Sequence, residues 1–416
     1  MRENRPEKLW TASFLLLWQG QLVSIFGDVV YAVALGFWIL EATGSTILMG
    51  SLMAVSTLPR IVVSPLAGVI VDRFDRRRLM IWMDVIRGLA VVSVGAAALA
   101  GFLQVWMVFA AGIIIGICGA FFFPAVSSVI PDITARSRVV QANSVFSMLQ
   151  TGGNIVGNSA GGVLFKVLGA PFLFLFNGLS YLFSAGSLLF AKVPRVAHVR
   201  EKKRFTADLR NGLSFVWKIR GLRYLILIAS VINFLASMAI MLFLPFYQKD
   251  PVLGPVKYGI AMALFTGGMF LGMALTAIVK IPPTHRFALF QVCGISSFAC
   301  LAVFPFVQAF PISVGMLAFS GFTNSLLNVF IMSVMQLAVP QEMRGKVFSL
   351  MGMATQGLTP IAFALGGVIA AFVPLPLLIS VCFGTVVFVG IPFMFMASFR
   401  RFINFDPAHD TVESVR

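Results

Sequence analysis

Gly68-Val-Ile-Val-Asp72-Arg73-Phe-Asp75-Arg76-Arg77-Arg78 is the stretch that decides the fold class. Its charges form one short block between two apolar runs, about 45–71 and 79–100. Each run reaches the ~20 residues a helix needs to cross a hydrocarbon core of roughly 30 Å. Backbone in lipid must satisfy its own hydrogen bonds, and strand alternation is nowhere sustained, so both runs read as helices. The basic loop between them faces the cytoplasm.

Outward from this loop the pattern repeats along the whole chain. Apolar runs predict twelve transmembrane helices at about 12–41, 45–71, 79–100, 104–131, 139–168, 171–192, 223–248, 256–280, 286–306, 310–339, 344–373 and 375–399. Turn residues such as Gly44, Gly101, Pro171 and Pro374 mark short connections. The expected fold class is an all-α integral membrane protein with two pseudo-symmetric six-helix bundles. Residues 1–192 make the N-terminal bundle, 193–222 a cytoplasmic linker, 223–400 the C-terminal bundle and 401–416 a cytoplasmic tail.

Composition agrees: 59% of the 416 residues are hydrophobic and 11% charged, where a soluble chain keeps about a quarter charged. The charged N-terminus, Met1–Trp10, leads into an apolar run too long for a signal-peptide core, so retention is expected. The net charge of +16 comes from basic residues between apolar runs rather than on one domain face, which excludes a nucleic-acid partner. Nearly all of the 31 Lys and Arg fall on one side if odd-numbered helices start in the cytoplasm. The exceptions are Lys166, Lys249 and Lys257 outside, and Arg60 and Arg87 within helices. The expected location is the cell membrane, multi-pass, with both termini cytoplasmic. Cys118, Cys293, Cys300 and Cys382 lie inside apolar runs, which argues against a disulfide framework.

The linker is basic (Arg195, Arg200, Lys202, Lys203, Arg204), and Phe205, Leu209, Leu213 and Val216 recur in it at helical spacing beside Trp217. It reads either as an amphipathic helix on the inner membrane surface or as a solvated linker helix. The halves echo each other. Pro131-Asp132, Arg138, Gln150 and Gly161-Gly162 correspond to Pro340-Gln341, Arg344, Gln356 and Gly366-Gly367 at nearly equal spacing. Such duplication points to a transporter with its substrate site near the midplane between repeats.

Four groups of residues carry candidate chemistry. In the opening loop, Gly68 permits close backbone approach, and Asp72 is placed to cap a neighbouring helix or pair with a cation. Arg73, Arg76 and Arg77 face the cytoplasm, and Asp84 and Arg87 on the third helix are placed to join this network. On the first helix, Gln21, Ser24, Asp28 and Tyr31 share one face. Asp28 and Arg60 each sit near the middle of a span, where a charge costs roughly 2.5–3.5 kcal/mol on insertion scales. The cheapest arrangement pairs them, so the pair is either the proton-coupling site or a stabilising ion pair. On the fifth helix, Gly153, Gly157 and Gly161, with Gly162 beside them, form a close-packing face. Gln150, Asn154 and Asn158 form a polar stripe that lines a cavity or bonds to a neighbouring helix. Asn324 and Asn328 make a second such pair on the tenth helix.

These residues resemble the major facilitator superfamily. Its members carry a Gly-x-x-x-Asp-Arg/Lys-x-Gly-Arg/Lys-Arg/Lys loop between helices 2 and 3. The chain matches at Gly68, Asp72, Arg73, Arg76 and Arg77, and departs at Asp75, where the family has glycine. The resemblance implies that this loop controls inward and outward opening. Gly157, Gly161 and Gly162 resemble the Gly-Pro-x-x-Gly-Gly motif of its proton-driven exporters, with Asn158 at the proline position. Gln21-x-x-Ser24-x-x-Gly27-Asp28, Leu58-Pro59-Arg60 and the Asp72–Arg78 loop together resemble the macrolide-efflux and siderophore-exporter branch. Lysophospholipid transporters share a similar first helix.

The expected function is therefore proton-coupled efflux of a bulky amphipathic small molecule, with Asp28 as leading proton carrier. The competing readings are a lysophospholipid transporter and, from another class, a channel or membrane scaffold. The 42 phenylalanines suit an apolar cavity. His198, His285 and His409 lie in loops or the tail without metal-ligand spacing, so no metal site or enzyme is expected. No Gly-rich phosphate loop followed by Lys and Ser/Thr is present, so neither ATP nor another cofactor is expected.

Overall fold

The computed structural model describes residues 9–194, 205–248, 250, 254–278 and 282–404. The N-terminal residues, His198, His409, Lys249, the linker cations from Arg195 to Arg204 and the tail lie outside the described residues. So do the surroundings of Gly68 and the side chains of Asp72 and Arg73.

Among the described residues the chain is helical, with no strand. The first half holds α1 (Ala12–Thr43), α2 (Thr46–Arg73), α3 (Arg76–Leu99), α4 (Val105–Ile133) and α5 (Val139–Phe190). Then come α6 (Phe205–Lys218), α7 (Arg220–Met241), α8 (Phe243–Gln248), α9 (Gly254–Ile278), α10 (Pro283–Val303) and α11 (Phe310–Ala338). The last are α12 (Gln341–Gln356), α13 (Thr359–Ile369), α14 (Leu375–Met394) and α15 (Ala397–Ile403). Eleven of the described segments are long and apolar enough to cross a membrane. One of these, α5, runs 52 residues and breaks at Gly169, whose φ of 77° is left-handed. Pro171 then opens the second arm, where its missing N–H is no loss. The chain is an all-α integral membrane protein.

Local chemistry sets the helix ends. Thr11 accepts from the Phe14 N–H at 3.3 Å to start α1. Gly44 ends it at φ 64°, and Ser45 at once caps α2 by accepting from the Leu48 N–H at 3.2 Å. Asp75 accepts from the Arg78 N–H at 3.1 Å and caps α3. Its φ of −63° needs no glycine. The family's glycine is thus replaced by a residue that makes the turn and starts the helix. Two expected single helices come in two pieces. Residues 223–248 divide as α7 and α8, and 344–373 as α12 and α13. Pro245 and Pro360 follow the breaks, and each lacks the N–H that would continue the ladder.

The chain forms two compact units: Met1–Val199 with Tyr247–Gly259, and Arg200–Phe246 with Ile260–Arg416. In unit 1, α1 lies between both arms of α5. A side-chain carbon at Gly153, Gly157 or Gly161 would meet Ile25, Val29 or Val33. On its other side, Gly20 and Gly27 of α1 admit Ser184 and Ser180 of the second arm. Phe14, Leu17, Met80, Phe122, Phe146 and Leu188 close the core around the start of α1. Unit 2 repeats one of these contacts within itself, since Gly366 of α13 receives Met238 of α7. Gly161 and Gly366, the first glycine of each duplicated pair, thus each admit the first helix of their own half. In α6, Val216 is buried with Leu222, Phe399 and Phe402, while Leu213 and Trp217 are exposed. The side chains of Phe205 and Leu209 are not described.

Candidate functional site

The polar face of α1 turns into packed protein. Gln21, Ser24 and Tyr31 are all buried. Gln21 reaches the Ser184 hydroxyl at 3.5 Å. Tyr31 meets the edge of Phe174 with ring centroids 5.2 Å apart, and its hydroxyl has no partner among the described residues. The expected cavity lining is thus helix-to-helix packing at these three positions. The cause is Gly20 and Gly27, which bring the second arm of α5 onto the same face.

Asp28 does not pair with Arg60. Its carboxylate accepts the Tyr181 hydroxyl of α5. Arg60 is exposed and lies over the Phe123 ring of α4, its guanidinium carbon 4.0 Å from the centroid. The ring face already gives that guanidinium a partner without a second charge. The ion pair that forms instead is Arg87 with Asp84, one turn apart on α3 and 3% and 0% exposed. Arg87 is also held between two rings, 4.3 Å from the centroids of both Phe122 and Tyr181. Tyr181 therefore touches both systems, its ring on the cation and its hydroxyl on Asp28. Asp84 and Arg87 thus belong to this interior network, not to the cytoplasmic loop.

The loop arginines have partners of their own. Arg76 pairs with Asp132 of α4 at 2.5 Å. Arg77 donates to the Leu188 carbonyl at 2.8 Å and to that of Leu189, satisfying orphan acceptors at the end of α5. They tie the start of α3 to α4 and α5. On α5, Gly162 lies against the Pro255 carbonyl within unit 1. Asn154 and Asn158 bond back along their own helix, to the Gln150 carbonyl at 2.7 Å and the Asn154 carbonyl at 2.9 Å. Among the described residues neither bonds to a neighbouring helix.

Unit 2 holds a cavity of about 350 Å³. Phe265, Phe290, Phe298 and Phe383 contribute to an apolar wall, and Asn233, Gln291, Asn324 and Asn328 supply amides. Asn324 and Asn328 are among the residues that line this cavity. Asn328 donates to the Asn324 side-chain carbonyl at 3.0 Å. The family model of the Major Facilitator Superfamily matches residues 17–364. The chain belongs to this superfamily. It is similar to macrolide efflux protein A of Streptococcus pyogenes, 26% identical over 272 residues that cover 65% of this chain and 67% of that one. It is also similar to the multidrug efflux pump Tap of Mycolicibacterium fortuitum, 28% identical over 374 residues covering 86% and 88%. Solved structures with a similar fold include the two that follow. A variant of the nucleoside transporter NupG gives a TM-score of 0.70 at 12% identity, over 92% of this chain and 100% of that one. An inward-facing bacterial homologue of ferroportin gives 0.64 at 16% identity, over 92% and 98%.

This superfamily member is a multi-pass membrane transporter and not an enzyme. Sequence reasoning missed Tyr181, which carried no signal beyond being one of 5 tyrosines in an apolar chain. It also missed Asn233 and Gln291. A lone amide in each of two spans was a legible sign that their helices face something polar.

Proposed function

We propose that this transporter is a proton-coupled exporter of bulky amphipathic small molecules, working by alternating access. The observation that carries the reading is the contrast between Asp84, which is buried, and Asp28, which is half-buried, two carboxylates within the helices of unit 1. Asp84 is ion-paired to Arg87, an opposite charge that favours its ionised form. Asp28 is held by a neutral hydroxyl. A carboxylate held this way can gain a proton and keep its hydrogen-bond partner, so it can load and release protons as its surroundings change. The efflux names of the relatives support export as the direction.

In this reading the chain crosses the plasma membrane twelve times, α5 crossing twice about Gly169. Both termini are cytoplasmic. The bundles are 1–192 and 223–400, joined by the 193–222 linker. Gly68, Asp72 and Arg73, with the anchored Arg76 and Arg77, form the loop that controls inward and outward opening.

The test uses inverted membrane vesicles, a radiolabelled macrolide and an imposed pH gradient. The wild type accumulates the compound, and a protonophore abolishes accumulation. Asp28→Asn abolishes it too while binding persists. Normal pH-driven accumulation by Asp28→Asn would remove Asp28 from the coupling mechanism.

A further inference from the structure

We infer that unit 2 carries, within its own helices, a binding pocket selective for uncharged amphipathic molecules. The inference rests on the export reading and names its substrate class.

The cavity of about 350 Å³ is within the range of small-molecule sites. Among the described residues no charged side chain lines it. An unpaired charge brought into such a wall would lose its hydration without an opposite charge to replace it, so ions of either sign are rejected. The polar groups present are amides, which both donate and accept. Asn328 Nδ2 donates to both the main-chain and the side-chain carbonyl of Asn324, each at 3.0 Å, which occupies that nitrogen. This leaves the Asn324 nitrogen and the Asn328 carbonyl for a ligand. These groups suit ketones, hydroxyls or amides on a lipophilic frame. The rings across the pocket brace one another, Phe298 stacking on Phe383 at 6.3 Å and Phe290 meeting Phe399 edge-on at 5.8 Å. The wall is thus pre-formed, which limits the ordering cost of binding.

Gly294 and Gly390 also line the pocket. A side-chain carbon at Gly294 would come no nearer than 3.9 Å to Leu327, and one at Gly390 would meet nothing within 4 Å. The space where a side chain would begin is therefore open at both positions. These glycines lie inside helices α10 and α14, where glycine is a poor helix former, so replacing them does not threaten the helix.

The test measures binding by scintillation proximity to the purified full-length transporter, with no gradient. The probe is tritiated progesterone, uncharged and bearing ketone acceptors. Labelled tetraphenylphosphonium is the charged counterpart. Wild type should bind progesterone saturably and tetraphenylphosphonium not at all. Gly294→Leu and Gly390→Leu should each weaken progesterone binding by about tenfold or more, with thermal unfolding unchanged or raised. Asn328→Asp should weaken progesterone and gain tetraphenylphosphonium binding. Asp28→Asn should bind progesterone as wild type does, so loss of pH-driven transport there would concern coupling and not this pocket. The inference is overturned if wild type binds no progesterone, or if both leucine variants bind it normally. It is overturned equally if oleyl alcohol displaces progesterone while Asn324→Leu and Asn328→Leu change nothing, since the pocket would then be a site for lipid chains.

Discussion

At the scale of the residue, Tyr181 and Arg87 carry the most weight, because each satisfies two neighbours. Removing the Arg87 charge leaves Asp84 buried and unpaired. Breaking such a pair costs about 3–5 kcal/mol, so Arg87→Met should fail to accumulate in membranes. The double variant Asp84→Asn with Arg87→Met removes both charges and should recover expression, measured by in-gel fluorescence of a tagged chain. Recovery of neither would mean that the aromatic sandwich, not the charge pair, holds α3. Tyr181→Phe keeps the ring on Arg87 and deletes only the hydroxyl that Asp28 accepts. A hydrogen bond to a charged group is worth roughly 1.5–3 kcal/mol. This bond reaches the carboxylate directly, so its loss should change the pH profile of transport with expression retained. An unmoved pH profile would separate Tyr181 from coupling. Arg60 behaves differently, because it is exposed over a ring rather than paired with Asp28. Arg60→Ala should therefore fold normally, read as an unchanged size-exclusion profile.

At the scale of the element, α5 shows how glycines divide structural labour. A carbon added at Gly162 would collide with the Pro255 carbonyl, whereas one at Gly152 would meet nothing within 4 Å. Gly162→Ala should lower the thermal midpoint in detergent by several degrees, since backbone must move. Gly152→Ala removes a helix-interior glycine and should be neutral or stabilising by about 0.5–1 kcal/mol. Equal midpoints for the two would disprove the close approach. The glycine periodicity was visible in the sequence because glycines on one face have no other common use. Which helix they receive was not visible, because periodicity identifies a face and not its partner. The same limit explains Asn154 and Asn158. Their spacing marked a polar stripe, but bonding back to the helix's own carbonyls satisfies an amide at that spacing equally well.

At the scale of the whole molecule, orientation rests on the distribution of Lys and Arg. Reporter fusions at Arg200 and at Arg416 should both report cytoplasm, and one at Asp250 the outside. Opposite sides for Arg200 and Arg416 would end the twelve-crossing reading. The all-helical membrane class was fully legible, because the bilayer demands long apolar runs and the chain supplies them one after another. The breaks at Gly44 and Gly169 were nearly so, since few residues tolerate a left-handed backbone.

Sequence alone determined what each span must avoid, namely unpaired backbone groups and bare charges in lipid. It therefore settled the membrane class and the positions of most helices. It also showed that Asp28, Arg60, Asp84 and Arg87 each need a partner. Asp84 and Arg87 are three apart on one helix, so their pairing was within reach of the sequence, but for Asp28 and Arg60 only the tertiary structure decided the partner, because that depends on which helices lie side by side. Asp84 took Arg87, Arg60 took Phe123, and Asp28 took a tyrosine far along the chain. The cavity of unit 2 was beyond sequence for the same reason. Its amides come from three separate helices, α7, α10 and α11, and only packing brings them to one space.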